Sequence, residues 1–231
     1  MIPIRDDTPR FSTPFITFFL IGLNLLIFFF EWTLDPTSLG MLFRQFAVIP
    51  SHITGLLTGA YRGGAGTALL PIFTSMFLHG TWRHVISNMW YLWIFGDNIE
   101  DYLGHFKYLL FYLTSGLAAT LLQVVLTPDS RIPNVGASGA IAGVLGAYFI
   151  LYPKARVLIW FPILLFYVPA WVLLGFWFVY QFFVGAATSL AYSSQTDRGG
   201  IAFWAHVGGF VAGIIMIKLI PPRPRRFSYS R

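Results

Sequence analysis

Cysteine is absent from the 231 residues, which excludes disulfides and thiolate metal sites and leaves no clue to the redox state of the compartment. Charge is scarce too: 10% of residues are charged, against 56% hydrophobic and 19% aromatic. No ordinary soluble domain has that balance, so the chain is read as a polytopic membrane protein. The five histidines have no carboxylate companion at ligand spacing, and no metal or other cofactor is expected. The net charge of +6 does not point to nucleic acid, because the basic residues sit in short loops and a tail, where membrane orientation accounts for them.

Six segments are long or apolar enough to be spans: Ser12–Trp32, Trp82–Ile99, Tyr108–Leu126, Ser138–Tyr152, Pro169–Leu190 and Ile201–Ile220. The expected fold is an all-α six-helix bundle over residues 12–220, flanked by a cytoplasmic N-terminus (1–11) and a basic cytoplasmic tail (221–231). The first apolar run has no convincing cleavage site after it and is read as a retained span. With both termini inside, ten Lys and Arg lie on the cytoplasmic side and five outside, which fixes the orientation. The external loop Thr33–Thr81 is expected to be partly helical and to lie in the outer interface. The stretch from Ala155 to Val168, broken by Pro162, reads as a re-entrant or interfacial segment.

The stretch Gly136-Ala137-Ser138-Gly139 sets one hydroxyl at the head of a small-residue apolar helix. Helix N-termini offer unpaired N–H groups and the positive end of a dipole, where a developing oxyanion would be stabilised. Taken alone, Ser138 reads first as a helix cap and the glycines as packing residues. The fourth segment is short, about 21 Å against about 30 Å of hydrocarbon, so its chain must enter as a loop and Ser138 falls roughly 9 Å below the outer boundary. Counting along the sixth and second segments puts His206 and Asn88 at about the same depth, with His84 about one and a half turns above Asn88. Polar groups converging inside a membrane mark a functional site. Gly139, Gly143 and Gly146 on one helix and Gly209 and Gly213 on another would let the backbones approach closely. A Ser138–His206 contact made this way is open to two readings, interhelical glue or chemistry.

These residues resemble the rhomboid intramembrane serine proteases, of the bacterial type with a six-span core. Gly136-Ala137-Ser138-Gly139 is similar to the family's nucleophile motif. Ala205-His206-Val207-Gly208-Gly209-Phe210-Val211-Ala212-Gly213 is similar to its sixth-helix motif, and His84-Val85-Ile86-Ser87-Asn88 to its second-helix His-x-x-x-Asn. The run from Gly96 through Glu100 to Gly104 also looks like the family's end of that helix. The resemblance covers about Phe15 to Ile220. It implies a serine endopeptidase of a bacterial cytoplasmic membrane that cleaves single-span membrane proteins. Ser138 would be the nucleophile and His206 the general base and acid. The backbone N–H groups of Ala137 and Ser138, the Asn88 amide and His84 would hold the oxyanion, with Gly136 and Gly139 allowing close approach.

With no acidic third member in the apolar parts of these helices, the imidazole is expected to be oriented by packing alone. The chain departs from the family in the external loop, where Leu70-Pro71 stands in place of a Trp-Arg pair, although Tyr61-Arg62 is nearby. Phe182 and Phe183, on the fifth segment before the loop Tyr192–Gly200, are candidate gate residues; the alternative is that both simply face lipid. His79 and His52 read as loop-bracing residues, His105 has no assigned role, and Asn24 is expected to bond to a neighbouring helix. The rival function is a non-catalytic membrane factor that binds client helices, with a transporter third.

Overall fold

Prolines and glycines mark where the helices of this chain begin and end. In the computed structural model, which describes residues 2–191 and 202–224, Asp35 caps α2 (Pro36–Phe46) by accepting from the Thr37 and Ser38 N–H groups. Pro50 and Pro71 open α3 (Pro50–Thr58) and α5 (Pro71–Thr74), and Gly59 ends α3 in the left-handed conformation. Around these short outer helices, with α4 (Ala65–Leu69) and a 3-10 turn at Ser75–Phe77, are the long ones. These are α1 (Phe15–Thr33), α6 (Trp82–Leu103), α7 (His105–Leu126), α8 (Ser138–Leu151), α9 (Ala170–Ala191) and α10 (Phe203–Leu219). Helices α1, α7 and the stretch Ala170–Thr188 of α9 are long and apolar enough to cross a membrane, and α8 and α10 are shorter apolar helices.

Helix α8 is the centre. Every residue from Gly139 to Tyr148 is buried, and α10, α7 and α6 pack around it. Adding a Cβ at Gly209 would drive it into the Gly139 carbonyl, at Gly213 into the Gly143 carbonyl, and at Gly146 into the Phe210 carbonyl. The two backbones therefore touch along the stripes read from the sequence. Tyr108, Tyr112, Phe95 and Phe111 fill the remaining core. At one end of α6, Glu100 is fully buried and accepts from the Ile16 and Thr17 N–H groups at 2.9 and 2.8 Å, so it caps α1. His105 is also in use, with Nδ1 2.5 Å from Glu100 Oε1.

Two expectations need correction. The fold is not all-α: Arg156–Phe161 (β2) and Leu164–Pro169 (β3) form a hairpin, and Ile2–Asp6 (β1) pairs antiparallel with β2, giving the order β1-β2-β3. The stretch expected to be re-entrant or interfacial is rich in β-branched and aromatic residues on both sides of Pro162-Ile163, the composition of a hairpin. Ile2–Asp6, within the N-terminal segment, is thereby an edge strand of the sheet. The hydrogen-bonded Arg156 guanidinium, 2.7 Å away, holds the Asp7 carboxyl below the usual carboxylate range. Asn24 donates to Leu20 O in its own helix at 2.7 Å, not to a neighbour. The loop Tyr192–Gly200 and the tail beyond Pro224 lie outside the described residues.

Gly209→Ala should therefore overpack the α8–α10 seam and lower stability in detergent unfolding by about 1–3 kcal/mol or more. Gly22→Ala, where a Cβ meets nothing within 4 Å, serves as the neutral control. Equal unfolding midpoints for the two variants would contradict the seam.

Candidate active site

The loop before α8 is pinned from outside the bundle. Asn134 and Val48 exchange backbone hydrogen bonds at 2.7 and 3.1 Å, and the Gly136 N–H donates to Ser75 O at 2.8 Å. Gly136 has φ +125°, and a side chain there would collide with the His84 ring, so glycine is required both for its backbone and for the space. Ala137 follows in a helical conformation and α8 begins at Ser138. The N–H groups of Ala137 and Ser138 have no acceptor among the described residues.

Opposite, the buried Gln123 of α7 accepts from the Ala205 N–H at 3.1 Å and fixes the start of α10. One residue later, His206 is 7% exposed, and its Nε2 lies 2.8 Å from Ser138 Oγ. Its Nδ1 is 2.9 Å from Gln181 Oε1 on α9. A carboxamide oxygen only accepts, so Nδ1 carries the proton and Nε2 is left to accept from the serine hydroxyl. Trp177, one turn before Gln181, packs against the imidazole with ring centres 5.7 Å apart.

Gln181 was missed in the sequence, and the expectation that packing alone orients His206 is corrected by it. The available signal was a lone amide within the apolar run of α9. Of the gate candidates, Phe183 is exposed and Phe182 packs edge-on against Trp204 at 5.8 Å; neither is among the groups seen to contact the Ser138–His206 pair. On a helix the inward face recurs every three or four residues, which selects Trp177 and Gln181 over the two that follow.

Asn88 sits on α6, whose start is capped by Thr81. It is buried, and its Nδ2 lies 2.9 Å from His79 Nε2. Burial pushes the His79 imidazole down to about 3, so it is neutral and accepts from the amide. The His79 backbone N–H in turn donates to the carboxylate of Glu31 on α1, with oxygens at 3.1 and 3.2 Å. His79 is thus more than a loop brace: it holds Asn88 and leaves the second amide hydrogen free. The His84 ring lies 5.0 Å from that of His79, edge to face, and against Gly136. The structure thereby gathers Ser138, His206, Asn88, His84 and the α8 N-terminus. His52 stacks on Tyr61 away from them. Leu70 and Pro71 begin a short outer helix, and Leu70 is exposed. Among the described residues, no group of three His, Asp or Glu could hold a metal.

The rhomboid domain matches residues 66–223. The chain is 30% identical over 154 residues to rhomboid protein 1, mitochondrial, of Saccharomyces cerevisiae, covering 64% of this chain and 41% of that protein. Rhomboid-like protein 11, chloroplastic, of Arabidopsis thaliana is 31% identical over 156 residues, 65% of this chain and 52% of its own. Presenilin-associated rhomboid-like protein A, mitochondrial, of Danio rerio is 37% identical over 92 residues, 39% of this chain and 24% of its own. The chain thus matches about half or less of each relative's length. These relatives are mitochondrial or chloroplastic by name, so they give the expectation of a bacterial cytoplasmic membrane no support.

Gln181→Leu removes the acceptor without removing the pair, so modification of Ser138 by a fluorophosphonate should slow by about tenfold, the worth of one hydrogen bond. Gln181→Glu should retain an acceptor and a faster rate than the leucine variant. Equal rates for wild type and Gln181→Leu would remove Gln181 from the site.

Proposed function

Since this chain belongs to the rhomboid family, we propose that it is an intramembrane serine endopeptidase that cleaves single-span membrane proteins in or near their transmembrane segments. The observation that carries this reading is the 2.8 Å contact between Ser138 Oγ and His206 Nε2 at the N-terminus of α8. In this reading α1, α6, α7, α8, α9 and α10 are six spans over residues 12–220, residues 1–11 contribute β1, and 221–231 form a basic tail. Both ends lie on the cytoplasmic side, and the partners are the bilayer and transmembrane substrates.

His206 Nε2 takes the Ser138 proton as Oγ attacks the peptide carbonyl, and gives it to the departing amine. Water enters by the same route in reverse and releases the acyl group. The tetrahedral oxyanion is held by the Ala137 and Ser138 N–H groups and by the Asn88 amide hydrogen not used by His79, with His84 alongside. Gln181 is a positioning residue that keeps His206 in the productive tautomer, the part played by an aspartate in triads. A neutral acceptor avoids burying an unpaired charge beside the imidazole.

Ser138→Ala and His206→Ala should each abolish cleavage of a single-span reporter by purified protein while leaving the fold and insertion intact. Cleavage retained by Ser138→Ala would sink the assignment, and an inactive wild type that still binds the reporter would favour a client-binding factor. Asn88→Ala should lose about 10²–10³ in turnover, since backbone donors remain. Turnover equal to wild type would take Asn88 out of the oxyanion site.

A further inference from the structure

The β-sheet is out of place in a helical membrane protein, and its surroundings say where it lies. Its base is charged and paired: Arg156 binds Asp7 at 2.7 Å, Arg10 faces Asp97 of α6 at 3.6 Å, and the Tyr148 hydroxyl donates to Asp6 at 2.5 Å. From Val157 to Pro169 there is no charged residue at all. The strands do not run away from the bundle. The Trp90 indole N–H donates to Pro3 O at 2.6 Å, and Trp90 is seven residues before Asp97 on α6, about 10 Å further along the helix. Pro3 in turn pairs with Ile159 in β2, and both Ile159 and Val157 are fully buried in the core. The sheet therefore rises alongside α6 from its charged base.

Beyond Ile159 the hairpin leaves the protein core. Trp160, Phe161, Leu164 and Leu165 are each about half exposed or more, and Ile163 at the tip is 98% exposed. These side chains would face water if the sheet hung below the membrane. At the height set by Trp90 they face lipid.

We propose that the β1–β2–β3 sheet is embedded in the leaflet on the side of the Asp97–Arg156 ring, wedged between α6 and α9, with its Phe161–Leu164 tip among acyl chains. The proposal rests on the six-span reading above. Helices α6 and α9 do not pack closely against each other; β1 packs on α6, while β2 and β3 pack on α9. The sheet thus occupies the slot between these two helices from the charged base to at least the height of Trp90. An open strand edge is costly in hydrocarbon. The β1 edge is set against α6, where the Trp90 indole satisfies the Pro3 carbonyl, and β3 ends on Pro169, which has no N–H to leave unpaired.

The lack of native cysteine makes the test direct. Ile163→Cys, Phe176→Cys on the exposed face of α9 and Lys154→Cys at the charged base would each be spin-labelled in liposomes. Collision rates with oxygen and with a water-soluble nickel chelate then report depth. Ile163 has φ +68°, a conformation that disfavours a β-branched residue, so cysteine there relieves the backbone. The expected result is that labels at 163 and 176 favour oxygen and are shielded from nickel, while the label at 154 is not. A label at 163 as open to nickel as that at 154, with 176 still shielded, would overturn the embedded sheet and leave the six-span reading standing. Nickel access at 176 would instead defeat the six-span reading and the sheet with it. Shielding at 163 accompanied by dipolar broadening between labels would assign the tip to a second copy of the chain and likewise overturn the proposal.

Discussion

Backbone contact between α8 and α10 is the constraint from which the site follows. Lipid offers helices little hydrophobic reason to associate, so close packing of small residues has to supply the attraction. Here Gly209 lies on the Gly139 carbonyl and Gly213 on that of Gly143. Ser138 immediately precedes the first of these contacts and His206 lies three residues before Gly209. The pair of glycine contacts fixes both the separation of the helices and their register. A slip of one turn would move the imidazole by about 5.4 Å and destroy a 2.8 Å hydrogen bond. The seam and the serine–histidine contact are therefore one structural fact, and the glycines set that contact without being part of it.

The Asn88 amide and the N-terminus of α8 are positioned from the opposite side, by the outer segment and α1. Glu31 holds the His79 backbone, His79 holds the Asn88 amide, and Ser75 holds the Gly136 N–H that leads into the α8 terminus. Each link is a directed hydrogen bond among buried groups, so rotating any one of them leaves another unsatisfied. Burying the Glu31 carboxylate is costly, and the His79 N–H offsets part of that cost. The external segment is in this sense part of the wall around the candidate site.

The helical part of this architecture was legible because its signals are local and periodic. Glycine stripes, a serine at a helix start and a histidine at matching depth can all be counted along the chain. Gln181 and His79 were not legible in the same way, because their roles depend on which face of α9 turns inward and on a loop whose path no periodicity sets. The hairpin was hidden by composition: Leu158, Ile159, Trp160 and Phe161 suit a buried helix, an interfacial segment or a strand equally well. What decides among them is the pairing of Ile2–Asp6 with β2, a contact across more than 150 residues that only tertiary structure supplies.

That hairpin also bears on how α9 acts. The helix begins directly after β3, with the Ala170 N–H donating to Ala155 O and the Trp171 N–H to Pro153 O, so its first turn is tied to the strand base. Its middle meets the site through Trp177 and Gln181, while Phe176, Tyr180 and Phe183 are exposed. Beyond Gln181 the helix is packed again, with Phe182 edge-on to Trp204 and Gly185 against Phe203 and Trp204 of α10. The Gln181–His206 hydrogen bond therefore lies between two packed stretches of α9, and being directional it is the contact there most sensitive to the placement of that helix. The orientation of the imidazole is thus set from α9, whereas the register of His206 against Ser138 is set by the glycine seam.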